Sequence, residues 1–258
     1  MTRTVGDAAA LLGAIAGADP RDPTSGRVPV PDYVAELEGG VAGKRIGISD
    51  FYLRQHVDPA VQFLVEQAIT TFERLGATIE EVTLPPPSDA VSALLAILMP
   101  EAAVYHLHWL REQPENYSSA VRERLELGVI TPAVSYIQGQ QMRRQIIDVF
   151  LTAMEPVDLL ITPTGPTPAT LLEGDLTTGT EADPDLLAGV MNFSGPFNLT
   201  GFPAISIPCG FTPGGLPVGL QLVAKPWQEG SLLAASHAYQ QVTDWHRRLP
   251  AVLWSAGC

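Results

Sequence analysis

Cysteine is almost missing from this chain: Cys209 and Cys258 are the two in 258 residues. That is too few for a disulfide framework or a thiolate metal cluster, and it fits a reducing, cytoplasmic setting. Lysine is as scarce, with Lys44 and Lys225 alone. Excess positive charge is absent too, because the formal net charge is −13. Nucleic acid and anionic membrane surfaces would repel such a chain, so neither is an expected partner. No apolar run is read as reaching the roughly 20 residues that cross a bilayer. There is no Gly-x-Ser-x-Gly elbow to expose a hydrolase serine, and no glycine-rich loop opening a helix to cradle phosphate. The glycines at 214–215 precede Leu-Pro. No repeat recurs at a fixed period, which excludes solenoids and propellers.

What is present suits a globular core. With 46% hydrophobic and 17% charged residues, the chain can bury a large interior, and a single α/β domain over 1–258 is expected. The apolar run Ala8–Ala16 after Arg3 has the look of a signal peptide. However, Asp7 interrupts it, and the Thr4-x-x-Asp7 pattern predicts a capped helix: the Thr4 oxygen accepts from a free N–H while Asp7 favours the positive helix end. Lys44–Ser49 reads as a strand. Asp58-Pro59 then caps a helix whose Val61, Leu64, Val65, Ile69, Phe72 and Leu75 recur at helical spacing until Gly76. Thr78–Leu84 reads as the next strand, completing a crossover unit that implies parallel strands under a helix layer. Residues 88–155 read as helical with breaks near Pro114 and at Thr131-Pro132. Strands are expected at 158–163, 203–208 and 217–224, a long polar loop at 164–183, and a closing helix over Ser231–Val242. The fold class is therefore α/β, with a mixed, mostly parallel-type sheet covered by helices.

Catalytic groups are sought by elimination. Lys44 and Lys225 stand at strand ends and read as solvent charges. Ser118-Ser119 lacks flanking glycines that would supply oxyanion donors and lies in a helical stretch. His106 and His108 sit two apart on a helix and so face different ways, unlike a metal-binding i, i+4 pair. His56, His237 and His246 stand alone and read as surface or core-edge residues. Glu80 and Glu81 are neighbours in a strand and point to opposite faces, which argues against an acid/base couple. Asp183 and Asp185 flank Pro184 as helix-start residues. Cys209 lies in the apolar strand Ala204–Gly210 and reads as buried and inert.

One long stretch carries more. Asn198-Leu-Thr-Gly201-Phe-Pro203-Ala-Ile-Ser206-Ile-Pro-Cys-Gly210, followed by Gly215-Leu-Pro-Val-Gly-Leu-Gln221, resembles the C-terminal region of amidase-signature enzymes. The resemblance extends to Arg3–Ala9, to Asp19–Ser25 and to Asp158–Thr164 with Pro166 and Ala169. It implies the C-terminal half of the amidase-signature fold and a parent reaction in which a carboxamide C–N bond is hydrolysed through an acyl-serine. No cofactor or metal is implied. The Gly/Ser-rich segment that carries the family's two serines and lysine has no counterpart here. The expectation is thus a scaffold and substrate-pocket part, without a catalytic group of its own, that would be completed by an N-terminal half or would self-associate.

The resemblance also marks pocket candidates: Asn198, with Met191, Asn192 and Phe193 just upstream, and Arg143 in Gln140-Gln141-Met142-Arg143. An arginine on the family's long helix could meet a substrate carboxylate bidentately, and Arg144 is an equal match for it. In glutamyl-tRNA(Gln) amidotransferases, the glutamine-using member of the family carries an acidic residue seven positions before the asparagine, where this chain has Met191. A thioether cannot replace a carboxylate, so a small-molecule amidase is favoured over a fragment of the amidotransferase. The other alternative is a non-catalytic binding or assembly module.

Overall fold

A computed structural model describes residues 1–55, 57–170 and 184–249, with side chains of 184–188 left aside. His56, Cys258, Asp183 and most of the 164–183 loop lie outside the described residues. In chain order the elements are α1 (Val5–Ile15), α2 (Tyr33–Glu36), β1 (Arg45–Ile48), α3 (Asp50–Arg54), α4 (Pro59–Arg74), β2 (Thr78–Glu81), α5 (Pro87–Glu112), α6 (Ser119–Val129), α7 (Ala133–Ala153), β3 (Leu159–Pro163), α8 (Pro184–Thr200), β4 (Ala204–Phe211), β5 (Pro217–Ala224) and α9 (Glu229–Gln241).

The local signals act as the sequence implies. Thr4 Oγ1 accepts from the Asp7 N–H and caps α1, and Asp58 caps α4 at the Ala60 N–H with Pro59 in the first turn. The helical stretch breaks at Pro114–Asn116 and again before Ala133. Two boundaries differ. The β2 ladder ends at Glu81, before the run Pro85-Pro86-Pro87, and β4 runs on to Phe211, where Gly215 (φ 80°) turns the chain into β5. α5 also corrects the reading that no segment is long and apolar enough to cross a bilayer: by length and composition this 26-residue helix is. Here it packs among α6, α7 and α8, with Ala90, Ala93, Ile97 and Ala103 buried.

The five strands form one sheet in the order β2-β1-β3-β5-β4. β1 pairs in parallel with β2 and β3, while β5 runs antiparallel to both β3 and β4. The sheet is therefore mixed as expected, with the two kinds of ladder in equal number. Strand alternation sends Leu159, Ile161, Leu220 and Leu222 to one face, where Val65, Phe72, Leu232 and Tyr239 of α4 and α9 cover them. Leu160 and Val223 face the other way, into a second cluster with Ile97, Phe150, Phe193 and Phe197 of α5, α7 and α8. The core is thus two apolar layers separated by the sheet.

Candidate functional site

On the α5/α7/α8 face the sheet becomes polar towards the end of β3. Thr162, Gln221 and Ser206 are cross-strand neighbours on β3, β5 and β4. Gln221, 6% exposed, donates from Nε2 to Thr162 Oγ1 (2.9 Å) and to the Phe193 carbonyl (3.1 Å). This ties β5 to α8, with both donors of the buried amide nitrogen in use. One row further, the hydroxyls of Thr164 and Ser206 are 2.7 Å apart and exposed. Gly219 lies beneath them: a Cβ there would come within 2.7 Å of Thr164 Oγ1 and 2.9 Å of Ser206 Oγ. The shelf is therefore flat because position 219 has no side chain.

α8 carries four of the pocket candidates and meets this shelf at the Phe193 carbonyl. Pro196 lies inside it and lacks the N–H that would close a turn onto the Asn192 carbonyl. Gly201 (φ 74°) ends it. The helix divides the candidates among different surroundings. Phe193 is buried in the core, edge-on to Tyr52 at 5.6 Å. Asn192 is half-buried. Asn198 is exposed in the last turn.

Arg143 and Asn198 do meet. With Leu94, Ile97, Leu98, Glu101 and Leu199 they line a cleft of about 350 Å³ between α5, α7 and α8. Arg143 is half-buried and its Nε is shielded from solvent with no hydrogen-bond partner, whereas Arg144 is exposed. The helix phase thus chooses between the two arginines that the sequence leaves equal. Across the cleft Glu101 Oε1 accepts from Tyr136 Oη (2.9 Å), and Gln140 braces both. No ion pair joins Glu101 to Arg143 among the described residues. The cleft thus sets a half-buried guanidinium beside an exposed amide, two groups that can donate to a carboxylate or a carbonyl oxygen. Met191 lies elsewhere, in an apolar chamber of about 410 Å³ with Leu95, Leu98, Met99, Ala102, Val121, Arg124 and Leu125.

No poised nucleophile lies among the described residues. Ser206 has only the Thr164 hydroxyl as partner, and Ser118 and Ser119 are exposed at the start of α6. His106 bonds Tyr117 (3.1 Å), and His108 faces Glu112 one helical turn away. Lys44 and Lys225 flank β1 and β5 and are half-buried. A cleft of about 560 Å³ on the opposite face, between α4, α9 and β4, is lined by Phe63, Leu64, Cys209, Tyr239 and Trp245. Burial pushes the Cys209 thiol up to about 12, and its Sγ donates to the Val218 carbonyl (3.5 Å); a thiolate is disfavoured there. Two buried groups carry no distinctive sequence signal. Tyr52 is fully buried with no partner for its hydroxyl. His246 is 7% exposed, with Nδ1 unpaired and its pKa lowered by burial and then by Arg247.

Comparison with known proteins adds to this geometry. A family model described as Amidase matches residues 1–233. The A-type component of the Myxococcus xanthus glutamyl-tRNA(Gln) amidotransferase is 37% identical over 96% of this chain and 55% of its own length. An amidase of Pseudomonas putida is 37% identical over 98% of this chain and 54% of its own. Among solved structures, a bacterial aryl acylamidase of the amidase-signature family superposes with a TM-score of 0.79 at 26% identity, over 95% of this chain and 53% of that one. The chain spans about half the length of the curated relatives it matches.

Proposed function

Because this chain belongs to the amidase family, we propose that it is a single α/β domain forming the substrate-pocket and scaffold part of an enzyme that hydrolyses small carboxamides. The chemistry is hydrolysis of the C–N bond through an acyl-serine, and the nucleophile comes from a complementing half rather than from this chain. The observations that carry the reading are the shelf of Thr162, Thr164, Ser206 and Gln221 and the Arg143 cleft, both of which meet α8. The shelf is a polar patch in an apolar fold, buried at Thr162 and Gln221 and open at the Thr164 and Ser206 hydroxyls, and among the described residues no base bonds either of those hydroxyls. In this reading Arg143 and Asn198 orient the substrate's polar end, while Asn192 shapes the wall and Phe193 packs behind it in the core.

Identity does not choose between the relatives, since the amidase and the amidotransferase component match equally well. Met191 supports one of them: it stands where the amidotransferase component carries an acidic residue, and in its apolar chamber it offers no carboxylate to the amino group of glutamine. An uncharged amide is therefore preferred to glutamine. The test is direct: the purified chain releases no ammonia from butanamide or benzamide and takes up no serine-directed fluorophosphonate. Stoichiometric labelling would overturn the assignment of the nucleophile to another chain.

A further inference from the structure

Resting on the amide-hydrolysing reading, we propose that the chamber between α5, α6 and α8 takes the apolar body of the substrate, and that Leu98 sets how far that body extends. Leu98 lines both the chamber and the Arg143 cleft. It therefore stands between the place that orients the polar end and the place that receives the rest of the molecule. Seven of the eight lining residues are apolar; the eighth, Arg124, is an exposed residue. At about 410 Å³ the chamber is ample for an aromatic ring with a short linker, given that an apolar cavity of about 150 Å³ holds benzene.

The exposure of the lining supports a ligand rather than a packing defect. Leu98 and Val121 are 49% and 44% exposed although both face an apolar recess. The recess is also built rather than left over. α6 is pressed onto α5 where Gly128 meets the Met99 carbonyl and Ala103, a contact that no larger residue would allow.

The substrate class that follows is an uncharged carboxamide with an aryl or branched-alkyl group on a short linker. The test is binding of butanamide, benzamide and 4-phenylbutanamide to the purified chain, by calorimetry and ligand-detected NMR. 4-Phenylbutanamide binds at least tenfold tighter than benzamide, since each methylene entering an apolar site is worth about fourfold. Leu98→Trp and Val121→Trp, which fill the chamber from α5 and α6, bring that ratio close to one. Both positions are half-exposed and tolerate the larger ring, and unchanged circular dichroism confirms the fold. Equal affinity for the three amides, a ratio unmoved by both variants, or absence of saturable binding overturns the proposal. The hydrolytic reading is judged separately, by ammonia release with a complementing half, so either can fail while the other stands.

Discussion

Gln221 is a polar side chain in a β5 burial pattern that is otherwise apolar, and it holds Thr162 and the Phe193 carbonyl with one amide. Gln221→Leu strips both of their donor and is expected to cost about 1–3 kcal/mol, read as a lower urea midpoint with an unchanged m-value. Cys209 gives a chemical prediction: it stays unmodified by a mild thiol reagent at neutral pH in the native chain and reacts on unfolding. Its thiol has a folded pKa raised from 9.0 to about 12, so stability is full below about pH 9 and is lost as pH rises towards about 12, where the unfolded thiol ionises and the folded one does not. The buried hydroxyls of Tyr52 and Tyr239, raised by desolvation, act in the same direction. Cys209→Ala therefore flattens the alkaline fall of Tm. His246 has the opposite sign: its pKa is lowered, so its contribution is present above about pH 6.5 and lost on acidification. His246→Gln should make Tm less sensitive to pH between about 7 and 5. The inertness of Cys209 is legible in the apolar strand around it. The burial of His246 is not, because it depends on Arg3, whose guanidinium reaches the His246 carbonyl across 243 residues of sequence.

The helices show where local signals suffice. α1 and α4 follow from caps and apolar spacing, and the long helical stretch is broken at Pro114 and Pro132 as its prolines imply. α8 is only partly legible in the sequence: Asp183 and Asp185 mark a helix start at Pro184, where it begins, but Gly195 and Pro196 weaken the pattern that follows. It forms because Phe193, Phe197 and Leu199 are buried against α5 and α7, and tertiary packing outweighs the proline's cost. The α5–α6 contact yields an element-scale prediction. Gly128→Ala places a methyl against the Met99 backbone carbonyl, which cannot rotate away, so α6 must shift. A loss of about 1–3 kcal/mol is expected by denaturation, and the opened chamber should weaken its preference for 4-phenylbutanamide. An unchanged midpoint and preference would show that α6 is free to move at no cost.

At the scale of the molecule the two sheet edges differ. β2 is four residues long and carries Glu80 and Glu81, charges that discourage pairing. β4 is eight residues long and uncharged, and it borders the cleft lined by Phe63, Cys209 and Trp245. Its Pro208 and the register shift by Gly210 are features that edge strands tolerate. We expect β4 to be the edge that self-associates or receives a complementing half. Ala204→Lys, on an exposed edge position, should lower the sedimentation-average mass and abolish any gain in Tm on adding the Pseudomonas putida segment that has no match here. If the variant and the parent chain are both monomeric and both ignore that segment, the half-enzyme account gives way to an independent binding module. The sequence by itself determined the family, the order of most elements and the burial of the apolar strands, because motif residues, caps and periodicity act within a few residues of chain. Which arginine faces the cleft, the separation of Met191 from Asn198 and the chamber beside Leu98 were decided only in three dimensions. They depend on the phase and closeness of α5, α6, α7 and α8, which are fixed by packing between residues up to about a hundred positions apart.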